Sequence, residues 1–214
     1  MKTKIILLRH CQSLANQERI YAGRCDFDLS ELGFKQAEEI AETVRDAHID
    51  VIYSSDLKRA YHTALPHARI RGIEVIRTAG LREIHLGEAD GMYADDLFKK
   101  YPYEFGFMWT EFFGLFAAPG GENSPGVAER IYGEIMRIAR DNPGKTVLCT
   151  AHAAAIRLFW GKISGFPPEQ LARLLPFPTN GSFSTLEFDG ENLIPIEYSR
   201  DEIAFDGASM NADE

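Results

Sequence analysis

The apolar positions of the chain follow two patterns that alternate along its length. Short unbroken apolar runs lie at 4–8 (KIILL), 50–55 (DVIYSS), 74–78 (EVIRT) and 146–152 (TVLCTAH). A run without a polar residue at every second position fits a strand buried on both faces, so each predicts a strand of a parallel sheet. Between the runs the spacing becomes helical. Leu32, Gln36, Ile40 and Val44 recur with Ala37 and Ala41 beside them, behind Ser30 as N-cap. LKRAYHTALPHARIRG (57–72) predicts a helix at least to Leu65, which Pro66 ends or kinks. Further helices are predicted near Ser124, after a GGEN turn (120–123), and from about Ala153 to Ile163. FSTLEF (183–188) and LIPIEY (193–198) predict a closing hairpin around DGEN.

Strands that alternate with helices predict an α/β fold, a three-layer α/β/α sandwich with a mostly parallel central sheet. No linker, repeat or low-complexity tract divides the 214 residues, so a single domain over 1–214 is expected. The stretch at about 94–119 interrupts the alternation. It carries Phe98, Tyr101, Tyr103, Phe105, Phe107, Trp109, Phe112, Phe113 and Phe116, and reads as an insertion over the carboxyl edge of the sheet. The tail DGASMNADE (206–214) reads as frayed.

Composition narrows the class of partner. The chain is 45% hydrophobic and 26% charged, with a formal net charge of -9. That argues against nucleic acid, whose binders show a basic face. It leaves room for a small phosphorylated substrate held by a few arginines. Three cysteines without a C-x-x-C pattern fit a reducing compartment. No run reaches the roughly 20 apolar residues of a membrane span. A cytoplasmic protein with no membrane partner is expected; a homodimer is compatible with the sequence, which does not fix the oligomeric state.

Ligands of open α/β sheets bind beyond the carboxyl ends of the strands. Arg9 and His10 end the first predicted strand, Ser54, Ser55, Asp56 and Arg59 follow the second, Glu83 follows the third, and His152 ends the fourth. His10-Cys11 suggests a cysteine phosphatase loop, but H-C-x5-R needs an arginine where Gln17 stands, and Arg19 comes two residues late. The matching positions after Cys25 and Cys149 are Glu31 and Ala155, so the cysteine reading fails on spacing. The two histidines, two arginines and glutamate match phosphoryl transfer instead. Arginine presents a planar fork to two oxygens of a charged phosphoryl group. An imidazole can attack through one nitrogen while the other is held as a donor. A carboxyl group can protonate the leaving oxygen and then take a proton from water.

LLRHCQSLAN resembles the R-H-G-x-[ST]-x-x-N signature of the histidine phosphatase superfamily, the cofactor-dependent phosphoglycerate mutase-like proteins. The resemblance continues in order through GRCDFDLSELGFKQA, YSSDLKRAYHTA, LREIHLGEADG, GGENSPGVAERI, TVLCTAHAAAIR and NGS (180–182), covering most of the chain. It implies a phosphoglycerate mutase-like fold and a histidine acid phosphatase-type phosphomonoesterase that needs no cofactor and no metal. His10 would be the nucleophile that becomes phosphohistidine. Arg9, Arg59 and His152 would bind phosphoryl oxygens, helped by Asn16 and the backbone amide of Ala153. Glu83 would be the general acid and base, and Ser13 and Gly23 would lie where the family contacts substrate.

The chain departs from the family pattern at Cys11 and Ala153, which replace glycines, and at Ala89, which replaces an aromatic residue. Either the turn at Cys11 does not need a glycine or the loop is shifted. A thiol beside two arginines would also be open to oxidation, so peroxide inactivation through Cys11 is expected. The mutases of the family carry an arginine directly after the catalytic glutamate, where this chain has Ile84, and the insertion has only Lys99 and Lys100 as cations. That favours the phosphatase branch over a mutase. A non-catalytic phospho-ligand binder is the third reading, although such proteins lose the nucleophile or the acid. His48, His62 and His67 lack the spacing of a helical metal pair and read as surface or packing residues, His85 as a supporting residue, and Ser54 and Ser55 as helix caps. The phosphatase reading predicts hydrolysis of p-nitrophenyl phosphate that persists in excess EDTA. Loss of the rate to chelator, restored by a divalent ion, would contradict it.

Overall fold

The computed structural model describes residues 1–102, 118–167 and 170–200. From the N-terminus the described elements are β1 (Thr3–Arg9), α1 (Leu14–Gln17), β2 (Ile20–Tyr21), α2 (Glu31–Thr43), β3 (Val51–Ser55), α3 (Lys58–Arg71) and β4 (Val75–Thr78). Two single 3-10 turns follow at Ala79–Leu81 and Gly87–Ala89, then β5 (Met92–Tyr93) and α4 (Ala94–Lys100). The chain continues with α5 (Ser124–Asp141), β6 (Thr146–Ala151), α6 (Ala153–Ile163), α7 (Leu171–Leu174), β7 (Phe183–Phe188) and β8 (Leu193–Arg200). Tyr103 to Phe116 of the aromatic stretch and the tail 206–214 lie outside the described residues.

The central sheet has six strands in the order β4-β3-β6-β1-β7-β8. β4, β3, β6 and β1 run parallel, and the predicted hairpin β7–β8 adds two antiparallel strands. The period of two in β1 divides the core. Ile5 and Leu7 face Val147 and Cys149 of β6 and the apolar stripes of α5 and α6, among them Val127, Ile131, Ile135 and Phe159. Ile6 and Leu8 face the opposite side, with Ile52, Leu148, Val44 and the alanines Ala64 and Ala68 of α3. Helices therefore cover both faces, which is why the strand runs carry no polar alternation.

The helix ends follow their capping chemistry. Ser30 caps α2 as expected, its Oγ accepting from Gly33 N at 3.0 Å. Gly33 is fixed by contact, since a Cβ there would come within 1.9 Å of the Gln12 carbonyl oxygen. Asn123 caps α5, accepting from Gly126 N at 2.8 Å, with Pro125 in the first turn, where a proline N–H is not needed.

Pro66 does not end α3. The helix runs on to Arg71 and stops at Gly72, whose φ of 66° suits a left-handed C-cap. Proline removes one backbone hydrogen bond, but Ala64, Pro66, His67 and Ala68 all lie on the buried face of α3, and that packing carries the helix through. Ser54 and Ser55 do not cap α3 with a close bond. Ser54 Oγ donates to the Ser55 carbonyl at 2.6 Å, and Asp26 Oδ1 accepts from Lys58 N at 2.7 Å.

His67 is fully buried and neither of its ring nitrogens has a hydrogen-bond partner among the described residues. Burial, and then the Arg71 guanidinium one turn on, lower its pKa to about 3. The unfolded chain should take up this proton near pH 6.5. The neutral ring thus contributes full stability above about pH 6.5, and that contribution is lost as the pH falls towards 3. His67→Leu should flatten the decline of urea-unfolding free energy between about pH 6 and 4 by up to ~1.4 kcal/mol per pH unit. Parallel pH profiles for the two proteins would refute this.

Candidate active site

The site begins at the register of two strands. Arg9 of β1 pairs with Ala151 of β6, so the next residues on each strand, His10 and His152, emerge side by side with ring centroids 5.2 Å apart. His10 N donates to Ala151 O at 3.0 Å and holds the exit of β1 against β6.

His10 is 4% exposed, and its Nδ1 lies 2.7 Å from the Cys11 carbonyl oxygen. A carbonyl only accepts, so Nδ1 carries the hydrogen and Nε2 keeps the lone pair. Burial, and then the charges of Arg59 and Arg9, hold its pKa well below 6.5. His10 is therefore a neutral imidazole with a fixed tautomer. The turn behind it is held by Cys11 N donating to Thr63 Oγ1 at 3.0 Å and by Asn180 Nδ2 donating to the His10 carbonyl at 2.9 Å.

Two guanidinium groups flank this imidazole. Arg59 is 2% exposed and donates to the carbonyls of Cys25 at 2.9 Å and Gly23 at 2.7 Å. Gly23 has a φ of 45°, and a Cβ there would overlap Asp90 Oδ1 at 1.6 Å, so the backbone that accepts from Arg59 admits only glycine. Arg9 Nη1 donates to Pro178 O, while its buried Nε has no partner among the described residues. Burial lowers the pKa of both arginines, with Glu83 opposing the shift, but both start from so high a value that they stay cationic.

His152 is fully buried, its Nε2 2.8 Å from Ser55 Oγ, and its Nδ1 has no partner among the described residues. Burial, and then Arg59, His10 and Arg9, hold its pKa well below 6.5. Glu83 lies on the loop after β4, against the first turn of α6. Its Oε1 accepts from Ile84 N at 2.9 Å and Ala155 N at 3.0 Å, and its Oε2 from Ala154 N at 3.2 Å. The positive end of the α6 dipole thus orients the carboxyl group.

A cavity of about 480 Å³ joins these groups. Arg9, His10, Ser13, Asn16, Gly23, Arg59, Glu83 and Ala153 all line it. His152 is not on the wall but stands behind it, beside His10. The α6 amides that bind Glu83 belong to Ala154 and Ala155. Asn16 and Ser13 form a reciprocal cap of α1, with Ser13 N to Asn16 Oδ1 at 3.1 Å and Asn16 N to Ser13 Oγ at 3.2 Å. Apolar wall comes from Ile20, Tyr21, Ile84, Leu86, Phe98 and Phe177. Among the described residues no group of three or more His, Cys, Asp or Glu side chains could hold a metal ion. Among them also no helix is long and apolar enough to cross a membrane.

Several residues of the site were not legible as such. Glu122, in the GGEN segment read as a turn, accepts from Arg24 Nη2 at 2.7 Å and from Arg130 at 3.0 Å. Burial pushes the Glu122 carboxyl up, but Arg130, the His85 amide and Arg24 outweigh it and the net shift is downward. The signal for this pair is the spacing of Glu122 and Arg130, which brings them to one side of the start of α5. Ser55 meets His152, and Asn180 meets both His10 and Asn16, neither of which sequence spacing reveals. The His85 backbone amide donates to Glu122 Oε2 at 3.0 Å, and its ring Nε2 lies 3.4 Å from Asp90 Oδ2.

The Cys11 expectation is corrected. The backbone at Cys11 is not in the left-handed region, so the turn needs no glycine there. The thiol is fully buried against Leu29 and Ala37, and burial pushes its pKa up to about 12. It is a packing group, not an activated thiolate.

A family model described as the histidine phosphatase superfamily (branch 1) matches residues 5–199. Phosphoserine phosphatase 1 of Hydrogenobacter thermophilus is 34% identical over 187 residues, 87% of each chain. The structure of Bacillus stearothermophilus YhfR is similar with a TM-score of 0.86 at 26% identity, over 94% of this chain and 98% of that one. A mycobacterial glucosyl-3-phosphoglycerate phosphatase bound to VO3 gives a TM-score of 0.82 at 26% identity, over 92% and 98%.

Half-exposed Cys25 should react with a thiol reagent in the native protein, and buried Cys11 and Cys149 only after unfolding. Mass spectrometry of peptides from peroxide-treated native protein should find Cys11 unmodified. Its oxidation at a rate matching Cys25 would restore the activated-thiol reading.

Proposed function

The chain belongs to the histidine phosphatase superfamily and is a phosphatase of small phosphorylated metabolites; we propose that it works through a phosphohistidine formed on His10. The observation that carries this reading is the fixed tautomer of His10, with Nδ1 held by the Cys11 carbonyl at 2.7 Å and the guanidinium groups of Arg9 and Arg59 on the same cavity.

In the proposed reaction Arg9 and Arg59 bind the equatorial phosphoryl oxygens, and His152, whose Nδ1 has no partner among the described residues, stands beside His10 behind the cavity wall. His10 Nε2 attacks phosphorus, an N–P bond forms, and the bond to the leaving oxygen breaks. Glu83 gives its proton to that oxygen. Water then attacks phosphorus, Glu83 takes the water proton, the N–P bond breaks and inorganic phosphate leaves. The guanidinium groups neutralise charge that the transition state spreads over three oxygens, the main contribution in phosphoryl transfer.

Ile84 supports hydrolysis over mutation of a phosphoglycerate. It lines the cavity next to Glu83, where the mutases of the family carry an arginine. The presence of both His10 and Glu83 supports an enzyme over a phospho-ligand binder. We propose L-phosphoserine as the first substrate to assay, following the name of the Hydrogenobacter relative.

Rapid quench in base during turnover of labelled substrate should leave acid-labile label on the His10 peptide, and His10→Ala should lower kcat by roughly 10³-fold or more. Label on a cysteine, or none at all, would sink the mechanism. Glu83→Gln should lower kcat/KM for an alkyl phosphate by roughly 10²-fold or more, and much less for p-nitrophenyl phosphate, whose leaving group needs no proton. Turnover of bisphosphoglycerate-primed 3-phosphoglycerate that outpaces hydrolysis would select the mutase.

A further inference from the structure

The proposed acid sits on a segment with no regular structure. Glu83 lies between the 3-10 turns Ala79–Leu81 and Gly87–Ala89, yet its carboxyl group must stand within one hydrogen bond of the leaving oxygen. One side chain of α5 holds that segment. Arg130 Nη1 donates to Gly80 O at 3.0 Å and Arg82 O at 2.9 Å, and Nη2 to Glu83 O at 3.2 Å. The remaining N–H groups, on Nε and Nη2, donate to the two oxygens of Glu122, both at 3.0 Å. Every donor of the guanidinium fork is engaged, three of them on the chain that carries Glu83.

Glu122 extends the contact in two directions. Its Oε2 accepts from His85 N at 3.0 Å, and its backbone N donates to His85 O at 2.7 Å, which pins the segment on the far side of Glu83. Its Oε1 accepts from Arg24 Nη2 at 2.7 Å. Arg24 stands between Gly23 and Cys25, whose carbonyls are the two acceptors of Arg59. One carboxylate therefore ties the backbone around the phosphoryl-binding arginine to the backbone around the acid.

We propose that Arg24, Glu122 and Arg130 form a strut that positions Glu83 relative to Arg59, and so sets how well a proton reaches the leaving oxygen. The inference rests on the roles proposed above for Glu83 and Arg59. These three are positioning residues, since none supplies a reacting atom. Misplacing the acid slows only those reactions that need its proton. An alkoxide leaves slowly unless protonated, whereas p-nitrophenolate leaves without help, so the strut has a signature that general loosening of the fold lacks.

The test measures kcat/KM, which reports the first chemical step, for p-nitrophenyl phosphate and glycerol 2-phosphate in Arg130→Lys, Arg130→Met and Glu122→Gln. The inhibition constant of inorganic phosphate serves as a control on Arg9 and Arg59. We expect glycerol 2-phosphate to lose roughly 10²-fold in Arg130→Met and Glu122→Gln and less in Arg130→Lys, with p-nitrophenyl phosphate and phosphate inhibition within about 3-fold of wild type. Equal losses on both substrates, or a loss that tracks weaker phosphate inhibition, would overturn the strut. Circular dichroism checks folding, and if Arg130→Met does not fold, Glu122→Gln, which keeps the shape and the acceptor, decides between the same two outcomes. A Glu83→Gln control separates the layers. If it shows no leaving-group selectivity, the acid assignment falls and the strut with it. If it is selective and the strut variants are not, the strut alone is wrong.

Discussion

The parallel pairing of β1 with β6 determines where chemistry can occur. Each strand is followed directly by a histidine, and the pair Arg9–Ala151 puts those histidines next to each other at the sheet edge. What holds the register is apolar burial. Ile5, Ile6, Leu7 and Leu8 are each at most 1% exposed, divided between the two faces of the sheet. Burying one such side chain stabilises by about 1.5–3 kcal/mol. A slip by one residue would send each of them to the opposite face and turn His10 away from His152. The core and the histidine pair are therefore specified by the same four side chains.

The cavity inverts the charge of the molecule around it. The chain carries a net -9, yet one buried and one half-buried cation, Arg59 and Arg9, flank the imidazoles. Backbone carbonyls accept from both: Gly23 and Cys25 from Arg59, and Pro178 from Arg9. Burial, and then these same cations, hold the pKa of both imidazoles well below 6.5, so the positive charge beside them is that of the guanidinium groups. A bound phosphoryl dianion would offset only the part of this shift that the guanidinium groups contribute. Electrostatic preorganisation of this kind needs no rearrangement when the reaction begins.

Sequence legibility followed the range over which each feature is encoded. Strand runs and the Ser30 cap are local, and they were readable. The site residues at strand ends were readable because an open sheet has one edge where ligands bind and because their order matched a family signature. Contacts made across the fold were not. Glu122 looked like part of a turn because its partners, Arg24 and Arg130, come from different elements. Ser55 looked like a cap because its contact with His152 exists only when β3 lies beside β6. Pro66 misled because a local rule about backbone donors was outweighed by the buried face of α3. Cys11 misled because proximity in sequence to arginines says nothing about burial.

The contact at Gly33 reaches beyond packing. With only a hydrogen facing the Gln12 carbonyl, the first turn of α2 rests directly on the loop that leaves His10. Ser30 N also donates to Gln12 O at 3.0 Å, so the two backbones have no slack between them. The loop therefore inherits the stiffness of a thirteen-residue helix. Evolution of new substrate preferences has to proceed elsewhere around the cavity rim, because at this point any added side-chain atom would wedge the loop off its support.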